Sequence, residues 1–94
     1  MEVRFEDANL AAVEKGKATA GHGGAVDKKF RERMKLIRAA ADERDLYALK
    51  SLNFEKYADG RRSMRLNDQW RLFIKFEGES SRKVVVIVGV SDPH

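Results

Sequence analysis

Seven residues near the end of the chain, Val84 to Val90, read Val-Val-Val-Ile-Val-Gly-Val, and this run restricts the fold more than any other segment. β-Branched side chains favour extended backbone. An apolar residue at nearly every position, rather than every second one, is the mark of a strand buried on both faces. Such a strand lies in the middle of a sheet or under helices, so the rest of the chain must supply its covers.

Upstream of this run the hydrophobic period is 2. Met64 and Leu66, then Trp70, Leu72 and Ile74, are separated by Arg65, Arg71 and Lys75, with Asn67-Asp68 as the turn between two strands. The turn lacks glycine, but Asn and Asp tolerate the left-handed backbone that a tight hairpin needs. Gly78 to Lys83 forms a second polar turn. From about Arg62 to His94 the pattern therefore predicts a three-stranded antiparallel sheet.

The first half has a helical period. Val26, Phe30, Met34 and Ile37 fall at steps of four, four and three, one buried stripe of a helix that begins near Ala25 and continues through Ala39, Ala40 and Ala41. Its other faces carry Lys28, Lys29, Arg31, Arg33, Lys35 and Arg38. Before it, Met1 to Phe5 alternates as a short strand, and Asp7 or Asn9 caps a helix with Leu10, Val13 and Ala18 inward. Gly16, Gly21, Gly23 and Gly24 break the chain around His22. Asp42 or Asp45 caps a short third helix bearing Leu46, Leu49 and Leu52, and Asn53 to Gly60 reads as a loop holding Phe54 and Tyr57. Helices followed by a meander predict an α+β fold, with the N-terminal helices packed on one face of a small antiparallel sheet.

The 94 residues predict a single domain spanning 1–94. With no cysteine, disulfides and thiolate metal sites are excluded. No apolar run approaches the roughly 20 residues that span a bilayer, so the reading places the chain in the cytoplasm with no membrane partner. The formal charge of +4 permits a polyanionic partner without demanding one. Its distribution says more, because the cations concentrate in Lys28 to Arg38 and Arg61 to Arg71.

The chemistry-bearing residues are few. No glycine-rich phosphate loop, Ser-His-Asp arrangement or metal-ligand spacing is present, and neither metal nor cofactor is expected. His22 lies between glycines, where side chains are solvated. His94 follows the apolar strand closely, and Pro93 stiffens its link to Asp92. An Asp–His pair can set an imidazole's tautomer and serve proton transfer near neutral pH. If Met64, Leu66, Leu72 and Ile74 face the helices, Arg65, Arg71 and Lys75 share the opposite face. Arginine suits phosphate there, because its planar fork binds two oxygens at once. Trp70 reads as a core anchor.

Two segments resemble the HigB-type branch of the RelE/ParE toxin superfamily of type II toxin–antitoxin systems. They are Leu46-Tyr-Ala-Leu-Lys-Ser-Leu-Asn-Phe-Glu-Lys56 and Gly60-Arg-Arg-Ser-Met-Arg-Leu-Asn-Asp-Gln-Trp-Arg71, and the ending Val84-Val-Val-Ile-Val-Gly-Val-Ser-Asp-Pro-His94 agrees with them. The likeness covers about the C-terminal half; the first 40 residues match only as two helices in the expected place. Asp92 and His94 match the family's usual Asp-Tyr-His ending, with Pro93 where the tyrosine stands.

The resemblance implies a RelE-like microbial RNase fold and a ribosome-dependent endoribonuclease that cuts messenger RNA through 2′-OH attack. It also implies a HigA-type antitoxin with a helix-turn-helix fold, through which the pair reaches operator DNA. On this reading His94 transfers protons, Asp92 orients it or contacts RNA, and Arg71 with Arg65 stabilises the transition state. Arg61, Arg62, Lys28, Lys29, Arg31 and Lys35 bind the RNA backbone. A second reading is a catalytically weakened homologue that acts mainly as the antitoxin's regulatory partner.

Overall fold

The computed structural model describes residues 1–79 and 82–93. Strand β1 (Glu2–Phe5) leads into helices α1 (Ala8–Glu14), α2 (Gly24–Ala39) and α3 (Glu43–Tyr47). A single 3-10 turn at Lys50–Leu52 follows, then strands β2 (Glu55–Lys56), β3 (Arg62–Arg65), β4 (Arg71–Glu77) and β5 (Val84–Ser91). The strands form one sheet in the order β1-β5-β4-β3-β2. Helices cover one of its faces, which makes the fold α+β as the hydrophobic periods predict. No described helix is long and apolar enough to cross a membrane.

The meander is present as expected, but the sheet has five strands and is mixed. β1 pairs parallel with β5, Val3 opposite Val85 and Phe5 opposite Ile87, while the other pairs are antiparallel. A strand apolar on both faces is poorly placed at an edge. β1 supplies the second neighbour, and the helices and hairpin between β1 and β5 act as the long crossover that parallel pairing requires. The expected loop 53–60 also contributes β2, two residues paired with β3.

Helices α1 and α3 start where the sequence provides a side-chain cap, whereas α2 starts after Gly23 without one. The Asp7 carboxylate accepts from the Asn9 amide, and the Asp42 carboxylate from the Arg44 amide. The α2 stripe of Val26, Phe30, Met34 and Ile37 is buried against Leu72, Ile74, Val85 and Ile87 of the sheet. The third helix is shorter than its leucine spacing suggests. It ends at Tyr47, the chain passes through Leu49, 38% exposed, and Leu52 is buried from the 3-10 turn instead. Arg33 also departs from expectation. It leaves the solvated face of α2 and donates from Nε to the Arg65 carbonyl at 3.1 Å, tying α2 to the end of β3.

The sheet's other face carries no helix, yet Val86 is fully buried there. Arg4 and Lys75 are its direct neighbours on β1 and β4. Arg4 reaches across β5 to Glu77 at 2.5 Å, and Lys75 reaches back to Glu6 at 3.3 Å. The aliphatic stems of these crossed pairs flank Val86 and their charges stay in water. Lys75 is therefore not part of a free cationic cluster with Arg65 and Arg71.

One carboxylate ties the connection from α1 to α2 to the start of α2. Asp27 is buried in the first turn of α2 and accepts the Ala20 amide at 2.9 Å. That bond, with help from Thr19, Arg31 and His22, holds its carboxyl below the usual aspartate value against the opposing effect of burial. A depressed folded value means that the stabilisation is fully present above the unfolded pKa of about 3.9 and fades as pH falls through the folded value. Asp27→Asn is expected to lower stability at pH 7 by about 1 kcal/mol. It should also flatten the loss of stability that the wild type shows below about pH 4, measured by urea unfolding from pH 7 to 3.

Candidate active site

On the helix-free face, the end of the sheet away from the Gly78 turn opens into a cleft of about 690 Å³. Asn53, Glu55, Tyr57, Arg65, Asn67, Asp68, Arg71 and Pro93 contribute to its wall. Three separate parts of the chain meet there because of strand register. Arg65 of β3 lies directly opposite Arg71 of β4, and Arg71 lies opposite Ser91 of β5, just before the tail.

Arg71 is the most constrained of these side chains, with 12% of its side chain exposed. Its Nε donates to the Ser63 hydroxyl at 2.7 Å, and its Nη2 donates to the Asn53 carbonyl and, at 3.4 Å, to the Ser63 carbonyl. A Glu55 carboxylate oxygen lies 3.9 Å from Nη2. Among the described residues Nη1 makes no hydrogen bond. A guanidinium held through two of its nitrogens in the wall of a cleft, with the third left over, is a ready donor to a phosphate oxygen. Arg65 sits beside it, more exposed, with Asp68 as its ion-pair partner.

The Asn53 carbonyl reaches Arg71 because Asn53 has left-handed backbone, φ 45° and ψ 53°, as it closes the 3-10 turn. It is the one non-glycine residue with positive φ among those described, and Asn adopts that conformation more readily than branched or alanine side chains. Tyr57 is pinned as well. Its ring tilts against Phe73 at 5.5 Å, the Arg61 guanidinium lies over both rings, and its hydroxyl contacts Glu55 and Ser63. That packing leaves it unlike an open stacking platform for bases.

The sequence-derived candidates divide into groups. Arg65, Arg71 and the tail come together at the cleft, Pro93 forming part of its wall. Asp92 accepts from Gln69 at 3.3 Å, at the hairpin turn beside the cleft. His94 lies outside the described residues. Arg61 is on the cleft's face of the sheet and pairs with Asp59, whose carboxyl the Arg61 amide and then its side chain hold below the usual range.

Arg62 points to the other face. It packs on Phe76 and contacts Tyr47, the Gly60 carbonyl and Glu43, so it is not a cleft residue. Lys28, Lys29, Arg31 and Lys35 ride on α2, across the sheet from the cleft, and none of them lines it; Lys29 pairs with Glu32 at 3.2 Å. His22 is not simply solvated either. Its ring stacks on Trp70 at 3.7 Å, and Trp70 is a half-buried neighbour of the core rather than a central anchor.

Asn53, Glu55, Ser63 and Asp68 were not singled out by sequence. Ser63 left a faint signal, since period 2 puts it on the same face as Arg61 and Arg65, and a small polar residue there can bury only with partners. For Asn53 and Glu55 nothing local distinguishes them from any polar loop. Asn53→Ala is expected to destabilise the protein by about 1 kcal/mol, with a smaller loss for Asn53→Gly, read from urea-unfolding midpoints.

No family model and no curated protein matches the chain. Solved structures do. A YoeB/ParE toxin from Agrobacterium tumefaciens superimposes with a TM-score of 0.65 at 10% identity over 100% of both chains. YafQ from E. coli strain BL21(DE3) gives 0.60 at 11% identity, over 98% of this chain and 92% of that one. At such identities the likeness is one of architecture: this chain has the fold of the YoeB/ParE and YafQ toxins.

Proposed function

We propose that this protein is the toxin of a type II toxin–antitoxin system, an endoribonuclease that cuts messenger RNA on the ribosome through attack of a 2′-hydroxyl on the adjacent phosphate. The observation that carries the reading is the Arg71 guanidinium, fixed through Ser63 and Asn53 and facing a cleft large enough for a nucleotide. The fold shared with two toxins and the HigB-like segments in the C-terminal half support it.

RNA carries its own nucleophile, so the protein has four tasks. It must align the 2′-oxygen with the phosphorus, accept one proton, return another to the leaving 5′-oxygen, and offset the added negative charge. Arg71 performs the last, with Arg65 as the second, more mobile cation; a preorganised donor of this kind is worth about 100-fold or more in rate. The Glu55 carboxylate, 3.9 Å from Arg71, is placed to accept the 2′-OH proton. His94 is assigned to the leaving oxygen and Asp92 to orienting it. Arg61 extends the cationic surface toward the RNA backbone, and the ribosome supplies further alignment. The partner is a helix-turn-helix antitoxin of the HigA type, which carries the complex to operator DNA, and the site of action is the cytoplasm.

Inducing the wild type in cells should arrest growth and produce new messenger RNA 5′ ends. Arg71→Ala should lower their yield by about 100-fold, and His94→Ala should lower it too. Unchanged cleavage in both variants would show that the assignment is wrong. A wild type that is harmless alone, yet co-purifies tightly with its antitoxin, would instead support the weakened-homologue reading.

A further inference from the structure

The proposed chemistry uses Ser63 only as an anchor for Arg71 and leaves the Tyr57 hydroxyl without a role, and donor accounting joins the two. Ser63 has no exposed surface. Its oxygen accepts the Arg71 Nε–H at 2.7 Å and lies 3.1 Å from the Tyr57 hydroxyl. A buried hydroxyl must also place its own proton, and among the described residues Tyr57 is the remaining partner of Ser63 Oγ. Tyr57 therefore accepts from Ser63. Its own proton goes to Glu55 Oε2 at 3.2 Å, since an ionised carboxylate only accepts. The bonds run in one direction, from Arg71 Nε–H to Ser63 Oγ–H, to Tyr57 Oη–H, to the Glu55 carboxylate.

We propose that Ser63 and Tyr57 are positioning residues that join Arg71 and Glu55, the charge-stabilising cation and the proton acceptor, into one unit through this directed chain. The proposal rests on the nuclease reading for its consequence, though not for the geometry. The chain starts on a cation and ends on an anion, so each link polarises the next. The two charged ends are only 3.9 Å apart on the cleft side. Left unsupported, they would swing into a direct bidentate pair and use up the donors that phosphate needs. The hydroxyl chain instead ties each of them from behind. The Tyr57 ring cannot drift, because Phe73 and Arg61 hold it, and Ser63 is fixed by its place in β3 opposite Phe73.

A chain in series has a signature that separate packing roles lack. Tyr57→Phe keeps the ring and its contacts and removes one hydroxyl with its bonds to Ser63 and Glu55; Ser63→Ala removes the other with its bonds to Arg71 and Tyr57. Each is expected to lower the rate of messenger RNA cleavage on ribosomes at saturating substrate by about 10- to 100-fold, with KM little changed. The double variant should be no slower than the worse single one, because groups acting as a unit are not additive. Tyr47→Phe, a hydroxyl loss on the opposite face, should cleave as the wild type does.

A second readout needs no activity. In the free protein the Arg71 Nε–H should give a slowly exchanging amide-region NMR signal. That signal should be lost in Ser63→Ala and weakened in Tyr57→Phe, while thermal unfolding of Tyr57→Phe stays near the wild-type midpoint. Wild-type cleavage with single-variant losses that multiply, or with no loss, overturns the proposal and leaves the nuclease reading standing. A wild type that cuts nothing overturns the nuclease reading and the catalytic consequence together. An Arg71 signal indifferent to Tyr57→Phe overturns the chain itself.

Discussion

A strand that is apolar on both faces has to be covered twice, and β5 imposes that demand on everything else. On one face the stripe of α2 meets Val85 and Ile87. On the other, no helix is left over, and the cover for Val86 is assembled from the stems of Arg4 and Lys75 and their crossed ion pairs. Exposed pairs of this kind add little through charge alone. Their contribution is the apolar area they shield and the second neighbouring strand they help to fasten. The same arrangement pairs the charges over the β1 side of that face, and the cations that line the cleft, Arg71 and Arg65, lie at the other end beside Glu55 and Asp68.

That division of the open face explains why the cleft lies where it does. At the hairpin end the strands have no helix beneath an opposing layer to close them, and loops from β2, the β3–β4 turn and the tail converge instead. Burial of Arg71 is tolerated because neutral oxygens of Asn53 and Ser63 satisfy it and one carboxylate stands nearby. Burying an ionised group without such partners would be prohibitive. Arg33 adds support from below by fixing the backbone of Arg65, and burial lowers its affinity for its proton, as expected of a guanidinium under the sheet's end.

Much of the fold was legible because it rests on local periodicity. Phe30, Met34 and Ile37 announce a helix face, and Leu72 and Ile74 a strand face, without knowledge of any distant residue. The parallel β1–β5 pair was not legible in the same way. Nothing near Val3 states that it will lie beside Val85, and only the two-faced burial of β5 requires some such neighbour. Of the candidate site, the cleft-lining cations Arg65 and Arg71 were legible from the shared strand face. Their supports were not. Asn53 matters for the direction of a carbonyl, and Glu55 for a position set by the 3-10 turn before it. The pairing of Lys75 with Glu6 joins residues that only the folded sheet makes neighbours, so from sequence Lys75 read as one of three cations sharing a face with Arg65 and Arg71. Arg62 lies away from the cleft for a different reason: neighbouring side chains at the start of β3 face opposite ways, and of that pair Arg61 is on the cleft side.

The irregularity in the β4–β5 ladder decides which side chains β5 can bring to the cleft. Phe73 pairs with Gly89 and the next residue, Ile74, with Ile87, so Val88 is an extra residue in β5. Side chains alternate along a strand, and one surplus residue reverses the phase of everything that follows it. Val85 and Ile87 keep the buried phase of the core, while Ser91 is brought opposite Arg71 and the tail leaves the sheet in the opposite phase to that set by Val86. One surplus residue thus lets a single strand keep Val85 and Ile87 in the core and still bring Ser91 beside Arg71; with unbroken alternation Ser91 would turn toward the helices.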